Sequence, residues 1–230
     1  MNPFLPYKKP RYVVIDYRAD KEIFNYLDKL NIEIIKTINC RELQQPVSGH
    51  PDMVIHPISY DTIIIAPNVY DYYGKIFDKK GIKVIKGEKA LNRNYPEDIA
   101  YNVARVGNYA FHNIKYTDPK LRYYLEKSGI EFINVNQGYT KCSTATVNDK
   151  AILTSDITIQ KIAMQKGIDS IFIKPNNIEL KGYNYGFIGG ASGALTKNIF
   201  LITGKITDQK TYKIIKKFVE NNGYTIVQVT

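Results

Sequence analysis

Residues able to move protons or attack carbon are concentrated in two short stretches of the 230-residue chain, His50-Pro51-Asp52 and Lys141-Cys142-Ser143. A thiol beside an ammonium is a candidate nucleophile, because a nearby cation favours the thiolate. It needs a base, and a histidine with an aspartate two residues on can provide and orient one. The two stretches share a layout. Ser48–Pro67, SGHPDMVIHPISYDTIIIAP, lies over Gln137–Asp156, QGYTKCSTATVNDKAILTSD, at an offset of 89. Gly49 then falls on Gly138, Asp52 on Lys141, Met53 on Cys142 and Thr62-Ile63-Ile64 on Ala151-Ile152-Leu153. Equivalent positions of a repeat meet when the repeat closes on itself, so one site is expected to hold both stretches. Each also has a plain structural reading, Cys142 as a small apolar residue opening a strand and Asp52 as a local backbone cap.

The remaining chemistry-bearing residues carry weaker signals. Cys40, between Asn39 and Arg41, has no supporting base, and His56 and His112 have the setting of strand histidines. Two cysteines and three histidines cannot form a disulfide framework or a four-ligand zinc site, so no metal or cofactor is expected. The glycine run from Gly186 to Gly193 is neither a dinucleotide fingerprint nor a phosphate loop, since Ile188 follows two after Gly186 and no Lys-Ser/Thr comes next. Between two strands, such glycines let Gly189, Gly190 and Ser192 approach an anionic or carbonyl oxygen. They also suit a tight passage past a ring axis. Asn102 and Arg105 are the matching polar residues of a third stretch, with Arg105 suited to a carboxylate or to the surface.

The elements that must position these residues follow from hydrophobic period and punctuation. Pro3, Pro6 and Pro10 make residues 1–10 an extended lead-in, and a single domain is expected over residues 11–230. Tyr12–Ile15 reads as a strand, followed by a helix opened by Asp20 with Ile23, Phe24, Leu27 and Leu30 on one face, and a strand Ile32–Ile35. A ββαβ order then recurs. Its leading strands are Met53–His56, Tyr101–Arg105, Cys142–Val147 and Tyr185–Ile188, and its second strands Thr62–Ala66, Tyr109–Phe111, Ala151–Thr154 and Ile199–Thr203. Helices start near Val69, Asp118, Ile157 and Asp208, and Gly81, Gly129, Gly167 and Gly223 stop them. A second spacing, 90 residues from Asn108-Tyr109 to Asn198-Ile199, supports the count. Five units result, the first without its leading strand. None can cover its own sheet, so they must close around a common axis. A doubly wound sheet would instead place single strands between helices.

Composition narrows the partners. The net charge of +10 is spread along helix surfaces, as at Lys205, Lys210, Lys213, Lys216 and Lys217, so nucleic acid is not the expected partner. The charge can still steer small anions. No run approaches the roughly 18 apolar residues of a membrane span, and Met1–Lys9 lacks the apolar core of a signal peptide. A cytoplasmic protein with a polar small-molecule partner is expected.

The phrases GHPDM at 49–53, GYTKCS at 138–143 and YGFIGGASG at 185–193 resemble an uncharacterised clostridial-type family of the guanidino-group-modifying-enzyme, or pentein, fold. The resemblance implies an α/β propeller of five ββαβ units, shared by those enzymes and by a ribosome-binding translation initiation factor. It also implies a cysteine nucleophile after glycines in the last unit, a histidine in the unit before, and acids that bind the guanidinium. Here the run Gly189–Gly193 contains no cysteine, Cys142 falls in the unit that should supply the histidine, and Asp52 alone agrees in type and unit. The expected pocket is lined by His50, Asp52, Asn102, Arg105, Lys141, Cys142, Ser143, Gly189, Gly190 and Ser192. If it is catalytic, the resemblance implies hydrolysis of C–N bonds in amidine or guanidine compounds: Cys142 attacks, His50 moves the proton and Asp52 holds a cationic nitrogen. The alternative is a binding protein without catalysis that uses its outer surface.

Overall fold

The computed structural model describes residues 1–175 and 178–229. Strand β1 (Tyr12–Ile15), helix α1 (Lys21–Lys29) and strand β2 (Glu33–Lys36) form the first unit, with β1 and β2 parallel. The second comprises a helical turn α2 (Pro51–Val54), β3 (Ile55–Pro57), β4 (Thr62–Ile65), α3 (Tyr70–Asp78) and β5 (Lys83–Lys86). The third has β6 (Ala104–Val106), β7 (Tyr109–His112), α4 (Pro119–Lys127) and β8 (Glu131–Asn134). In the fourth are α5 (Thr140–Ser143), β9 (Thr144–Asn148), β10 (Ala151–Thr154), α6 (Ile157–Gln165) and β11 (Asp169–Phe172). The fifth holds α7 (Ile188–Ala191), β12 (Ser192–Ala194), β13 (Ile199–Thr203), α8 (Gln209–Asn221) and β14 (Thr225–Val229).

These strands make five separate small sheets. In the four complete ones the leading strand is antiparallel to the middle strand, which is parallel to the last. The doubly wound alternative is thereby excluded. Each long helix buries a pair four residues apart against its sheet: Ile23 and Leu27, Tyr73 and Phe77, Leu121 and Leu125, Ile159 and Ala163, Ile215 and Val219. That is one inward face of a 3.6-residue period. Beyond each helix the chain passes through a left-handed residue, Asn31, Gly81, Gly129, Gly167 or Gly223, that turns it into the returning strand.

The units close through shared cores. Ile35 of the first, Met53 and Ile64 of the second and Leu121 of the third share one cluster. Phe111 packs with Ile152 and Ile159, and Leu153 with Phe200 and Ile215. Ile23 and Leu27 of α1 then meet Leu201 and Val229 of the fifth unit, completing the ring. The N-terminal segment joins it: Asn2 Nδ2 donates to the Arg105 carbonyl (3.2 Å), and Phe4 sets its ring edge-on to His56.

The leading strands begin later than the sequence pattern indicates. At Met53–His56 and Cys142–Val147 the chain first makes the helical turns α2 and α5, while Tyr185–Phe187 is no strand and leads into α7, the leading strand β12 coming only at Ser192–Ala194. Pro51, at the start of α2, already has a helical φ, and a four-residue turn is too short for periodicity to separate it from a strand.

Candidate functional site

The helical turns deliver side chains to the ring axis. Two residues before the leading strand the four complete units carry Met53, Asn102, Cys142 and Gly190. Asn102, fully buried, joins the first three. Its Nδ2 lies 3.4 Å from Met53 Sδ and 3.0 Å from Cys142 Sγ. Its Oδ1 accepts the backbone N–H groups of Lys141 (2.9 Å) and Cys142 (3.1 Å), which fixes α5. The 89-residue repeat thus brings His50, Asp52 and Cys142 together. A ring nitrogen of His50, a carboxylate oxygen of Asp52 and Cys142 Sγ lie within 4.8 Å of one another.

Cys142 Sγ–H donates to Asp52 Oδ2 at 3.2 Å. Burial, then the Asp52 charge and this bond, push the thiol well above its ordinary range. The sequence expectation of a thiol lowered by Lys141 is therefore corrected. Lys141 Nζ is drawn off to the Gly189 carbonyl (3.0 Å) and lies over the Phe4 ring. Asp52 is no backbone cap either: Oδ2 takes the thiol, and Oδ1 is buried with no hydrogen-bond partner.

A further carboxylate and a guanidinium complete the constellation, neither of them marked by the sequence pattern. Asp16 Oδ2 lies 3.9 Å from His50 Nε2. Arg18 pairs with Asp16 at 2.7 Å and donates to the carbonyls of Gln45 and Pro46, tying β1 to the loop before Gly49. Burial raises the Asp16 pKa, but the Arg18 hydrogen bonds and charge outweigh it and hold the carboxyl below its usual value. The signal was the chemistry of Asp16 at a strand's C-terminal end, where ring-closing units converge.

Other expected residues are placed differently. Arg105 is 2% exposed, and its Nη1 donates to the carbonyls of Pro57 and Ile58 (3.3 and 3.0 Å), so it grips no carboxylate. Ser143 Oγ donates to the Thr140 carbonyl and Ser192 Oγ to that of Ile188. Gly189 packs so closely on α5 that a Cβ there would collide with the Lys141 and Thr144 carbonyl oxygens, whereas Gly190 faces open space. His112 is satisfied: Nε2 donates to the Gly138 carbonyl (3.0 Å), and Nδ1 pairs with Thr117 Oγ1 (2.7 Å).

Two cavities open at this place. One of about 430 Å³ is lined by Cys142, His50, Gly190 and Tyr139, and the other, a groove of about 1550 Å³, by Asp16, His50, Asp52, Lys141, Gly189 and Ser192. Thiol, imidazole and carboxylate side by side can perform nucleophilic attack with proton transfer. They are also the donor types of a three-ligand zinc site, once drawn in around an ion.

Residues 14–230 match the model described as Family of unknown function (DUF6873). The chain belongs to that family. The match carries no clostridial source. No curated protein matches this DUF6873 chain in sequence. Among solved structures it is similar to an amidinotransferase of saxitoxin biosynthesis from Microseira wollei, at 14% identity over 91% of this chain and 73% of that one, with a TM-score of 0.57. The agmatine deiminase of C. jejuni matches at 12% identity over 98% and 88%, with a TM-score of 0.56. Inosamine-phosphate amidinotransferase from Streptomyces griseus matches at 10% identity over 90% and 72%, with a TM-score of 0.55. At these identities the likeness is one of fold: the five small sheets of the DUF6873 chain, four of them mixed, form a pentein propeller. Among the described residues no helix is long and apolar enough to cross a membrane.

Proposed function

We propose that this protein binds a small amidinium or guanidinium compound at the ring axis and hydrolyses its C–N bond through Cys142. The observation that carries the reading is the meeting of Cys142 Sγ, Asp52 and His50 within 4.8 Å beside an open cavity. Asp52 Oδ1, buried and unpartnered, is an acceptor waiting for an N–H donor. A cation bound there offsets the charge that keeps the thiol protonated, so the nucleophile is released by its own substrate.

In this reading the thiol proton passes to His50 as sulfur adds to the amidinium carbon. His50 returns it to the departing nitrogen as the C–N bond breaks, leaving a thioimidate cation on Cys142 and free amine. Water adds to that carbon, sulfur leaves with the C–S bond pair, and the products are the amide or urea, a regenerated thiol and one proton. Asp16, held by Arg18, keeps the His50 ring in place.

The test is alkylation of Cys142 by iodoacetamide, followed by mass spectrometry, with and without methylguanidine. Protection of tenfold or more, lost in Asp52→Asn, is expected. An alkylation rate that methylguanidine leaves unchanged would overturn the proposal and leave a binding protein that works through its outer surface.

A further inference from the structure

The cavity beside Cys142 contrasts with the rest of the molecule. The chain has 32 lysines and arginines, yet among the described residues lining this cavity there is neither, and Glu179 is the sole Asp or Glu. The walls are aromatic and aliphatic: Tyr139, Leu180, Tyr183, Tyr185 and Phe187. Tyr139 Oη donates to the Asp98 carboxylate, while Tyr183 Oη donates to Gln44 Oε1 at 3.3 Å, so both hydroxyls are engaged by the protein. Tyr185 and Phe187 meet edge to face at 5.7 Å. Tyr183 and Tyr185 remain 41% and 43% exposed, an apolar area that a ligand would cover.

Positive charge lies in the neighbouring groove. Lys141 and Arg18 line the larger groove and not this cavity. Gly190 borders both, with nothing within 4 Å of where its Cβ would stand, and so leaves the passage clear.

We propose that the compound acted on at Cys142 carries an aryl or alkyl tail without a carboxylate, and that this tail occupies the cavity walled by Tyr139, Leu180, Tyr183, Tyr185 and Phe187. The inference rests on the amidinium reading above and adds the substrate class. A carboxylate placed there would be stripped of water with no cation to meet it and with Glu179 close by, whereas an aromatic ring would stack on tyrosines. An amino acid tail is thereby selected against.

Protection of Cys142 from iodoacetamide in the full chain tests this with benzylguanidine, methylguanidine and arginine. Benzylguanidine is expected to protect at a concentration at least tenfold lower than methylguanidine, with arginine no better than methylguanidine. Tyr183→Ala with Tyr185→Ala is expected to erase the benzyl advantage and leave methylguanidine protection as it was. Equal protection by benzyl and methyl compounds, or stronger protection by arginine, would overturn the tail assignment. Should no guanidine protect, benzyl alcohol decides. If it protects, the cavity assignment stands and the amidinium reading falls; if it does not, both fall.

Discussion

The copies that begin at Gly49 and Gly138 have one backbone and two uses. Turns α2 and α5 coincide at the 89-residue offset, as do β4 and β10. In the first copy Met53 is fully buried as packing, and its neighbour Asp52 is the group that meets the thiol. In the second, Cys142 takes the methionine's place, and Lys141, in the aspartate's, turns to the Gly189 carbonyl. The scaffold fixes where a side chain arrives, and its identity decides whether it packs or reacts. One copy brings a carboxylate and an imidazole, the other a thiol, so the cluster exists only in the closed ring.

The strongest way to break this pairing is to push α7 off α5. In Gly189→Ala the new methyl meets the carbonyl oxygens of Lys141 and Thr144, backbone atoms that cannot swing aside. A loss of about 3 kcal/mol is expected from urea unfolding. Gly190→Ala, with open space around its Cβ, should stay within about 0.5 kcal/mol of the parent. Similar values for the two would show that α5 is not held from this side.

Acid tests the second copy next. The Gly49 carbonyl accepts from Thr37 Oγ1 (2.6 Å), which does not titrate, and the Gly138 carbonyl from His112. Burial lowers the His112 pKa from 6.5 to about 4. The unfolded chain therefore takes up the proton first, so this contribution is complete above pH 6.5 and is lost as pH falls toward 4, on the order of 3 kcal/mol. His56 is pushed the same way by burial, and His112→Gln isolates its share by flattening the slope. Urea unfolding of His112→Gln from pH 7 to pH 4 should show a shallower loss of stability than the parent, the slope that remains belonging in part to His56; an unchanged slope would refute the assignment to His112.

The fold was legible in the sequence because each unit repeats its punctuation. Gly81, Gly129, Gly167 and Gly223 mark helix ends, and Asp118, Asp156 and Asp208 cap helix starts in the structure through their side chains. The pairing of His50 with Cys142 was legible from the repeat alone. What escaped was set by tertiary environment. The thiol's raised pKa depends on burial and on Asp52, 90 residues away, against which the adjacent Lys141 counts for little. Arg105 has the composition of a ligand clamp, yet β6 points it at two carbonyls. Asp16 and Arg18 lie in the incomplete unit, where no sister copy drew attention to them.

A milder cut through the same contact is Asn102→Ala. It removes the acceptor for two α5 amides and the donor shared by the two sulfurs, and should cost about 2 kcal/mol. Because Lys141 N–H keeps a second acceptor in the Asn102 backbone carbonyl at 3.2 Å, the turn should loosen without unfolding. Thermal unfolding of the variant measures this, and an unchanged midpoint would mean that Asn102 does not hold the turn.

The smallest effect expected is the most direct probe of how the copies meet. Burial raises the Cys142 pKa most, and Asp52 adds to it by charge and hydrogen bond. Asp52→Asn removes the charge, so the thiolate should appear at lower pH and alkylation at pH 8 should quicken, with little change in stability. Lys141→Met should act oppositely and more weakly, because that ammonium is engaged by Gly189 and contributes least among the causes. A rate–pH profile that Asp52→Asn leaves in place would mean that carboxylate and sulfur are neighbours without being coupled. The two copies would then share an axis but not a chemistry.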